Sequence, residues 1–318
     1  MAKTIVLTNH YAGRPLEIVR EETPSGFDLS LEGPLEERMP GADYILAGGR
    51  TRITGELLAT ARNLKMIQRT GVGLDSLDME AIRRLEIPLY VNEGVNSESV
   101  AEHSLLLILA CLRRLPPIAA NTKAGVWNKQ AQGVRTHELR GKTIGLIGMG
   151  HVARRLVEML RPFDVRILYH DVVRQPEAFE REHGVEYVPQ DEVFARSDIV
   201  SLHCPMTEQT RRLVNRERLA MMKDGAILVN TARGPLIDAQ ALAEALESGK
   251  LGFAGIDVHE TEPLAADYPL KAVENVILTP HVAGITAESF RTMMHNAMQN
   301  IRAFEAGRLE EIASHRYL

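Results

Sequence analysis

Thr143-Ile144-Gly145-Leu146-Ile147-Gly148-Met149-Gly150-His151-Val152-Ala153 is the stretch on which the fold turns. Its first five residues form an apolar run, rich in β-branched side chains, that reads as a buried strand. A G-x-G-x-x-A pattern follows at once, and beyond it Val152, Leu156 and Leu160 recur at the spacing of one helix face. Glycines alone mark turns in any protein, whereas strand, glycine turn and helix in direct succession make the phosphate-binding start of a dinucleotide fold. Gly148 then permits the tight turn, Gly150 lets the backbone approach a pyrophosphate, and the small Ala153 lets the helix pack close to its strand. The amides of His151 and Val152, at the positive end of the helix dipole, are expected to hold the phosphates. Asp171 closes the next strand-like run about 20 residues on, where a carboxylate accepts hydrogen bonds from both adenosine ribose hydroxyls and repels a 2′-phosphate. NAD is therefore expected over NADP.

Outward from this stretch the rhythm continues in both directions. Strand-like runs at 165–169, 198–202, 226–230, 254–258 and 276–278 alternate with helix-like intervals, enough for a complete doubly wound parallel sheet. Upstream, runs at 5–7, 44–46, 66–68 and 88–91 form a second βαβ series. Between the two series a nearly all-apolar helix is expected from about 99 to 115, stopped by Pro116-Pro117, and a last helix from Ala287 to Glu305 outlasts the final strand.

The chain has 318 residues, 45% of them hydrophobic and 25% charged, which suits a soluble globular protein of two domains and excludes disordered, collagen-like and disulfide-scaffold classes. A formal charge of −5 offers no general surface for nucleic acid or for a membrane, and neither partner is expected. The longest apolar run, 105–112, is far short of the roughly 20 residues that span a bilayer. Residues 4–8 are strand-like directly after Met1-Ala2-Lys3, so no signal sequence is read and a cytoplasmic location is expected. Cys111 and Cys204 sit inside apolar stretches and read as reduced core thiols, with no metal site.

Three further stretches are rich in reactive side chains just past strand-like runs: Asn230-Thr231-Ala232-Arg233-Gly234, Asp257-Val258-His259-Glu260-Thr261-Glu262-Pro263, and Thr279-Pro280-His281-Val282-Ala283-Gly284. The carboxyl ends of parallel strands border the ligand crevice of an open sheet. Taken singly each has a plain explanation: Arg233 a surface ion-pair partner, Glu262 a turn residue, His281 a core histidine.

Together with Gly71-Val72-Gly73-Leu74-Asp75, Asn96, Val100-Ala101-Glu102-His103, and Leu202-His203-Cys204-Pro205 with Thr207 and Thr210, these motifs run in order along most of the chain. In that order the sequence resembles the NAD-dependent D-2-hydroxyacid dehydrogenases. The resemblance implies an α/β fold of two domains flanking a cleft. A Rossmann-type doubly wound parallel sheet, residues 102–286, would be inserted in a smaller flavodoxin-like α/β substrate domain made of residues 1–101 and 287–318. It implies Arg233, Glu262 and His281 as the catalytic set and further cofactor contacts at Val72, Cys204, Thr231, Ala232, Asp257 and Gly284. The substrate carboxylate would be anchored by Arg233 and by amides around Val72 and Gly73, with His281 beside it. A homodimer joined through the NAD-binding domain is implied too, with segment 113–140 and Trp127 as its arm.

Chemistry gives the three side chains independent sense. A guanidinium fork holds a carboxylate bidentately and polarises an adjacent ketone, which suits Arg233. Negative charge developing on the ketone oxygen needs a proton donor near neutral pH, which suits His281, and Glu262 beside it would favour the imidazolium. Glyoxylate, hydroxypyruvate, pyruvate and 3-phosphohydroxypyruvate are all candidate substrates. A phosphite oxidoreductase and a dinucleotide-sensing binding protein of the same fold are the alternative readings. The sequence also departs from the family pattern. Gly48-Gly49, followed by Arg50 and Arg52, stands where many relatives carry a larger and often basic residue, and His259 replaces an aromatic, a change expected to affect packing only. Retention of Glu262 argues against formate oxidation. An end at Leu318 leaves no room for the regulatory domain of long phosphoglycerate dehydrogenases, so feedback control of that kind is not expected.

Overall fold

The structure, a computed structural model, describes residues 2–49 and 51–318; Arg50, singled out beside Gly48-Gly49, lies outside them. The chain divides into two compact units, Met1–Asn96 with Ile285–Leu318, and Ser97–Gly284. These limits differ from the expected 101/102 and 286/287 for physical reasons. A cut at 101 would split the helix Ser97–Leu112, whose Ala101, Leu107, Ile108 and Cys111 share one apolar cluster with Leu146, Leu156 and Val229. At the other end Thr286 caps the helix Ala287–Glu305: its hydroxyl accepts from the Ser289 amide at 3.1 Å while its own amide donates to Ser289 Oγ at 2.8 Å. A cap of this kind travels with its helix.

In the first unit, β1 (Lys3–Leu7), β2 (Phe27–Ser30), β3 (Tyr44–Ala47), β4 (Met66–Arg69) and β5 (Leu89–Tyr90) form a parallel sheet in the order β2-β1-β3-β4-β5. That is the flavodoxin-like winding. Side chains alternate between its faces with the period of two that strand geometry imposes. Ile5, Leu7, Tyr44, Leu46 and Met66 pack against Met294, Ala297, Met298 and Ile301 of the returning C-terminal helix, while Val6, Ile45 and Ile67 meet Leu58, Ala81 and Ile82 on the other side. Each of the Val, Leu, Ile and Met side chains contributes about 1.5–3 kcal/mol by leaving water, so the last helix is part of this core although it lies at the far end of the sequence. β2 is not legible in the sequence, because Phe27-Asp28-Leu29-Ser30 is a half-polar edge strand without a buried run.

The second unit holds seven strands: β6 (Thr143–Ile147), β7 (Arg166–His170), β8 (Val185–Tyr187), β9 (Ile199–Leu202), β10 (Ala226–Asn230), β11 (Leu251–Ile256) and β12 (Val276–Leu278). They are all parallel, in the order β12-β11-β10-β9-β6-β7-β8. The winding direction reverses between β6 and β9, which makes the carboxyl ends of those strands the switch point where such sheets bind ligands. β8, three residues at the edge, is the one strand here that the sequence pattern does not show. β11 begins at Leu251, which pairs with Ala226, and ends at Ile256, so Asp257 falls just beyond the strand instead of inside it.

Pro116 and Pro117 do not simply stop a helix. The Ser97–Leu112 helix ends first, Arg114 turns the chain through a left-handed conformation at φ +48°, and both prolines sit in the first turn of a new helix, Leu115–Lys123. Proline fits there because the first-turn amides have no intrahelical acceptor. Among the described residues no single helix is long and apolar enough to cross a membrane; these two would pass that test only as a pair, and they are bent by 63°.

Candidate functional site

The carboxyl ends of the seven parallel strands lie along one edge of the sheet, and the candidate residues of this unit fall there in two groups. The first surrounds the end of β6. Gly148 has φ +97°, and a Cβ there would fall 2.7–2.9 Å from backbone atoms of His203 and Cys204. The turn is therefore seated directly on the chain leaving β9, whose His203 amide donates to Ile147 O at 2.7 Å, and only glycine satisfies both demands. The Met149 amide donates to Asp171 Oδ2 at 2.6 Å and the Val173 amide to Oδ1 at 3.1 Å. Two amides thus fix the carboxylate at the end of β7, while a carboxylate with about four lone-pair sites keeps acceptor capacity for a ribose diol. The helix His151–Leu160 starts at Gly150 with no side-chain cap, and a Cβ at Gly150 would meet nothing within 4 Å. First-turn amides, those of His151 and Val152 among them, thus lie at the helix start directly beside the glycine turn. These residues fit a dinucleotide diphosphate.

Two side chains close to this turn are held neutral. Burial, with the charge of Asp171 adding to it, pushes the half-buried Cys204 thiol up to about 11. Burial lowers His203 to about 4, and its Nε2 lies 2.9 Å from Ser201 Oγ. Cys111 is buried, its thiol pushed up by burial, and both cysteines are unbridged.

The second group follows from the strand order. β10, β11 and β12 are neighbours, so Arg233, Glu262 and His281, each shortly past one of them, are carried to adjacent positions on the edge. His281 Nδ1 lies 3.0 Å from Glu262 Oε2 and 3.3 Å from Oε1. The glutamate side chain is only 11% exposed and the imidazole 39%. A carboxylate on Nδ1 places the proton there and directs Nε2 away from it, the arrangement of an oriented acid or base.

Asp257 is fully buried, and its carboxylate accepts from Thr279 Oγ1 at 2.6 Å and from the amides of Val282 and Ala283 at 2.9 Å each. Its carbonyl accepts from the His281 amide at 2.7 Å. Three consecutive amides are thereby pinned around His281, which adopts a left-handed φ of +57° that costs a non-glycine residue about 1–2 kcal/mol. Asp257, expected as a cofactor contact, also holds through these bonds the turn that presents His281. His103 Nε2, 3.3 Å from Thr279 Oγ1 and 3.7 Å from Asp257 Oδ1, extends this network to the helix Ser97–Leu112.

At the end of β10 the buried Asn230 bridges its own turn: Oδ1 accepts from the Ala232 amide at 2.9 Å and Nδ2 donates to Arg233 O at 2.8 Å. Arg233 Nη1 donates to Ala232 O at 2.7 Å. Thr231 Oγ1 is 2.8 Å from Ser104 Oγ, so this residue too is tied to the long helix. His259 does more than change packing, since its ring Nε2 lies 2.9 Å from Thr279 O, a bond a phenyl ring could not make; its backbone amide, as any residue's there could, donates to Glu262 Oε1 at 2.8 Å.

The structure therefore groups Gly148, Gly150, His151, Val152, Asp171 and Cys204 at one stretch of the edge, and Thr231, Ala232, Arg233, Asp257, Glu262, His281 and Gly284 at the other. Val72 and Gly73 belong to the first unit, in the loop after β4, with Val72 half-exposed. Asn230, Thr279, His103 and Ser104 were given no role from the sequence. Their one signal is that Asn230 and Thr279 are polar residues at the last position of an apolar run or just past it. Chemically, the second group offers a cation next to a carboxylate-oriented imidazole, able to hold an anion and exchange a proton with it. Among the described residues no cluster of His, Cys, Asp or Glu is arranged to hold a metal ion.

Residues 105–283 match the family model of the D-isomer specific 2-hydroxyacid dehydrogenase NAD binding domain. The chain is 40% identical over 255 residues to a hydroxypyruvate reductase of Thermotoga maritima, covering 80% of this chain and 81% of that protein. It is 39% identical over 263 residues to a glyoxylate reductase of Aeropyrum pernix, covering 81% and 78%. A solved D-lactate dehydrogenase from Aquifex aeolicus, complexed with NAD and lactic acid, superposes with a TM-score of 0.87 at 30% identity over 99% of both chains.

Proposed function

The chain belongs to the D-isomer specific 2-hydroxyacid dehydrogenases, and from that premise we propose that it acts on a short, unphosphorylated 2-keto acid of the glyoxylate and hydroxypyruvate kind. It is an NAD-dependent oxidoreductase that interconverts 2-keto acids and D-2-hydroxy acids. Bound NAD(H) supplies hydride transfer at the carbonyl carbon. The residues of the chain supply the rest. In our reading Arg233 clamps the substrate carboxylate through its fork and polarises the neighbouring carbonyl. His281 gives a proton from Nε2 to the carbonyl oxygen in reduction and takes it back in oxidation. Glu262 holds Nδ1 and offsets the imidazolium charge. The observation that supports this reading most is the 3.0 Å pair of His281 and Glu262, which follow β12 and β11, beside the end of β10 that carries Arg233.

The preference for an unphosphorylated acid is supported by Gly48, in the first unit. It stands where many relatives carry a larger and often basic residue, and a Cβ there would fall within 2.2–2.4 Å of the Asn9 side chain, which leaves no room for one. Loss of NADH absorbance with glyoxylate, hydroxypyruvate, pyruvate and 3-phosphohydroxypyruvate tests the proposal. Highest kcat/KM is expected for one of the first two, with NADH above NADPH. A clear preference for the phosphorylated acid would overturn the substrate class, and no turnover with any member would overturn the reading as a whole.

We also propose a cytoplasmic homodimer joined through the Ser97–Gly284 unit. The observation in its favour is that Trp127 and Val134, within segment 113–140, are each 80% exposed, a cost in water that a partner surface removes. Sedimentation as a monomer at micromolar concentration would end that proposal.

A further inference from the structure

We infer that His259 is a positioning residue for the reaction, joining through its amide, its ring and its carbonyl the three segments that carry Glu262, His281 and Arg233. The inference rests on the roles proposed above for those three side chains. Its amide donates to Glu262 Oε1 at 2.8 Å, while the other carboxylate oxygen faces His281 Nδ1. Glu262 is thus held by the His259 amide at Oε1 as well as by the imidazole, which lies 3.0 Å from Oε2 and 3.3 Å from Oε1, so the His259 backbone helps set its rotation. The ring Nε2 lies 2.9 Å from Thr279 O, and since a carbonyl only accepts, Nε2 carries the proton. Thr279 is two residues before His281, and its hydroxyl is already committed to Asp257, so the ring fixes the remaining polar group of the segment that enters the histidine turn. The third contact is steric. A Cβ at Gly234 would fall 2.0 Å from the carbonyl carbon of His259 and 2.2 Å from its oxygen, so the residue following Arg233 rests directly on the His259 backbone.

The residue is only 6% exposed, and its ring meets Tyr268 edge-on with centroids 5.5 Å apart. A phenyl ring would preserve that packing and the backbone contacts but could not donate to Thr279 O. Loss of the donor leaves that carbonyl without its partner and frees the segment before His281 to shift. The expected consequence is a reaction geometry slightly misplaced while binding is retained.

Three variants test this. His259→Phe is expected to lower kcat about tenfold, short of the roughly hundredfold that a 1 Å misplacement can cost, with the keto-acid KM and the NADH Kd within about twofold of wild type. His259→Gln, which keeps an N–H at similar reach, is expected to restore most of the lost kcat. A Phe variant with unchanged kcat, or a Gln variant as slow as the Phe variant, would overturn the inference. If the Phe variant does not fold, the Gln variant decides alone: near-wild-type kcat supports the donor role and a tenfold loss removes it. His281→Ala measured alongside separates the two levels. An active His281→Ala would refute the proton-transfer reading, whereas an inactive one beside a fully active His259→Phe would refute only the positioning role.

Discussion

The two stretches of the strand-end edge in the Ser97–Gly284 unit work by opposite means. At β6, β7 and β9 the groups presented are main-chain amides at a helix start beside the Asp171 carboxylate, with Cys204 and His203 held neutral nearby. At β10, β11 and β12 they are the side chains Arg233, Glu262 and His281, each set by a buried polar residue of its own segment or a neighbouring one: Asn230 behind Arg233, His259 behind Glu262, Asp257 behind His281. A backbone site is rigid because a turn and a helix make it so. A side-chain site has to be made rigid, and the buried Asp257, Asn230 and His259 do that here. Removing a group at the first stretch should change which cofactor binds and how stable the sheet is, whereas removing one at the second should change the rate and leave the cofactor in place.

The largest test of that contrast is His281→Ala. Loss of a positioned proton donor is expected to reduce kcat by about 10²–10⁴-fold, while the NADH Kd, read by fluorescence titration, stays within about twofold. Equal losses of turnover and NADH binding would erase the distinction between the two stretches.

Acidification comes next in size and acts on the first stretch. His203 is lowered to about 4 by burial, against an ordinary value near 6.5, so the unfolded chain binds a proton there that the native protein refuses. Its contribution to stability is complete above about pH 6.5 and declines as the pH falls toward 4, amounting to about 2 kcal/mol lost at pH 5. Urea unfolding of wild type and His203→Gln at about pH 7.5 and 5 isolates it, since other groups titrate in both proteins. Identical losses in the two would show that His203 is not held neutral under the glycine turn.

Asp171→Ala is the smallest effect and the sharpest for cofactor choice. The ratio of kcat/KM with NADH to that with NADPH is expected to narrow by about tenfold, or about 1.4 kcal/mol. Some affinity for both should be lost as well, because the Met149 amide loses its acceptor. An unchanged ratio would move the discrimination to another residue.

Legibility in the sequence follows the same division. The glycine run, the helix after it and Asp171 could be read because a tight turn, a close approach and a helix start each demand particular residues within a few positions. The strands that escaped, β2 and β8, are short, half-polar edges, where no alternation or buried run is required of the sequence. Pro116 and Pro117 were legible as a helix boundary but not as the start of the next helix, since proline suits both. Arg233, Glu262 and His281 were found by resemblance; their spacing carries no signal, and His259 looked like a packing change because the carbonyl it meets, Thr279 O, is twenty residues away in the chain.

Local backbone demands therefore settled the cofactor end within the amino-acid sequence, along with the alternation of strands and helices that makes the sheets. Tertiary structure alone decided the chemistry of the other end. The order β12-β11-β10 brings residues 19 to 26 positions apart into hydrogen-bond contact, and the carboxylate of Asp257 keeps His281 in a left-handed conformation that no local preference would choose. The reason is physical: a turn is specified by its own φ angles, but the orientation of an imidazole is specified by whatever buried groups the fold sets around it.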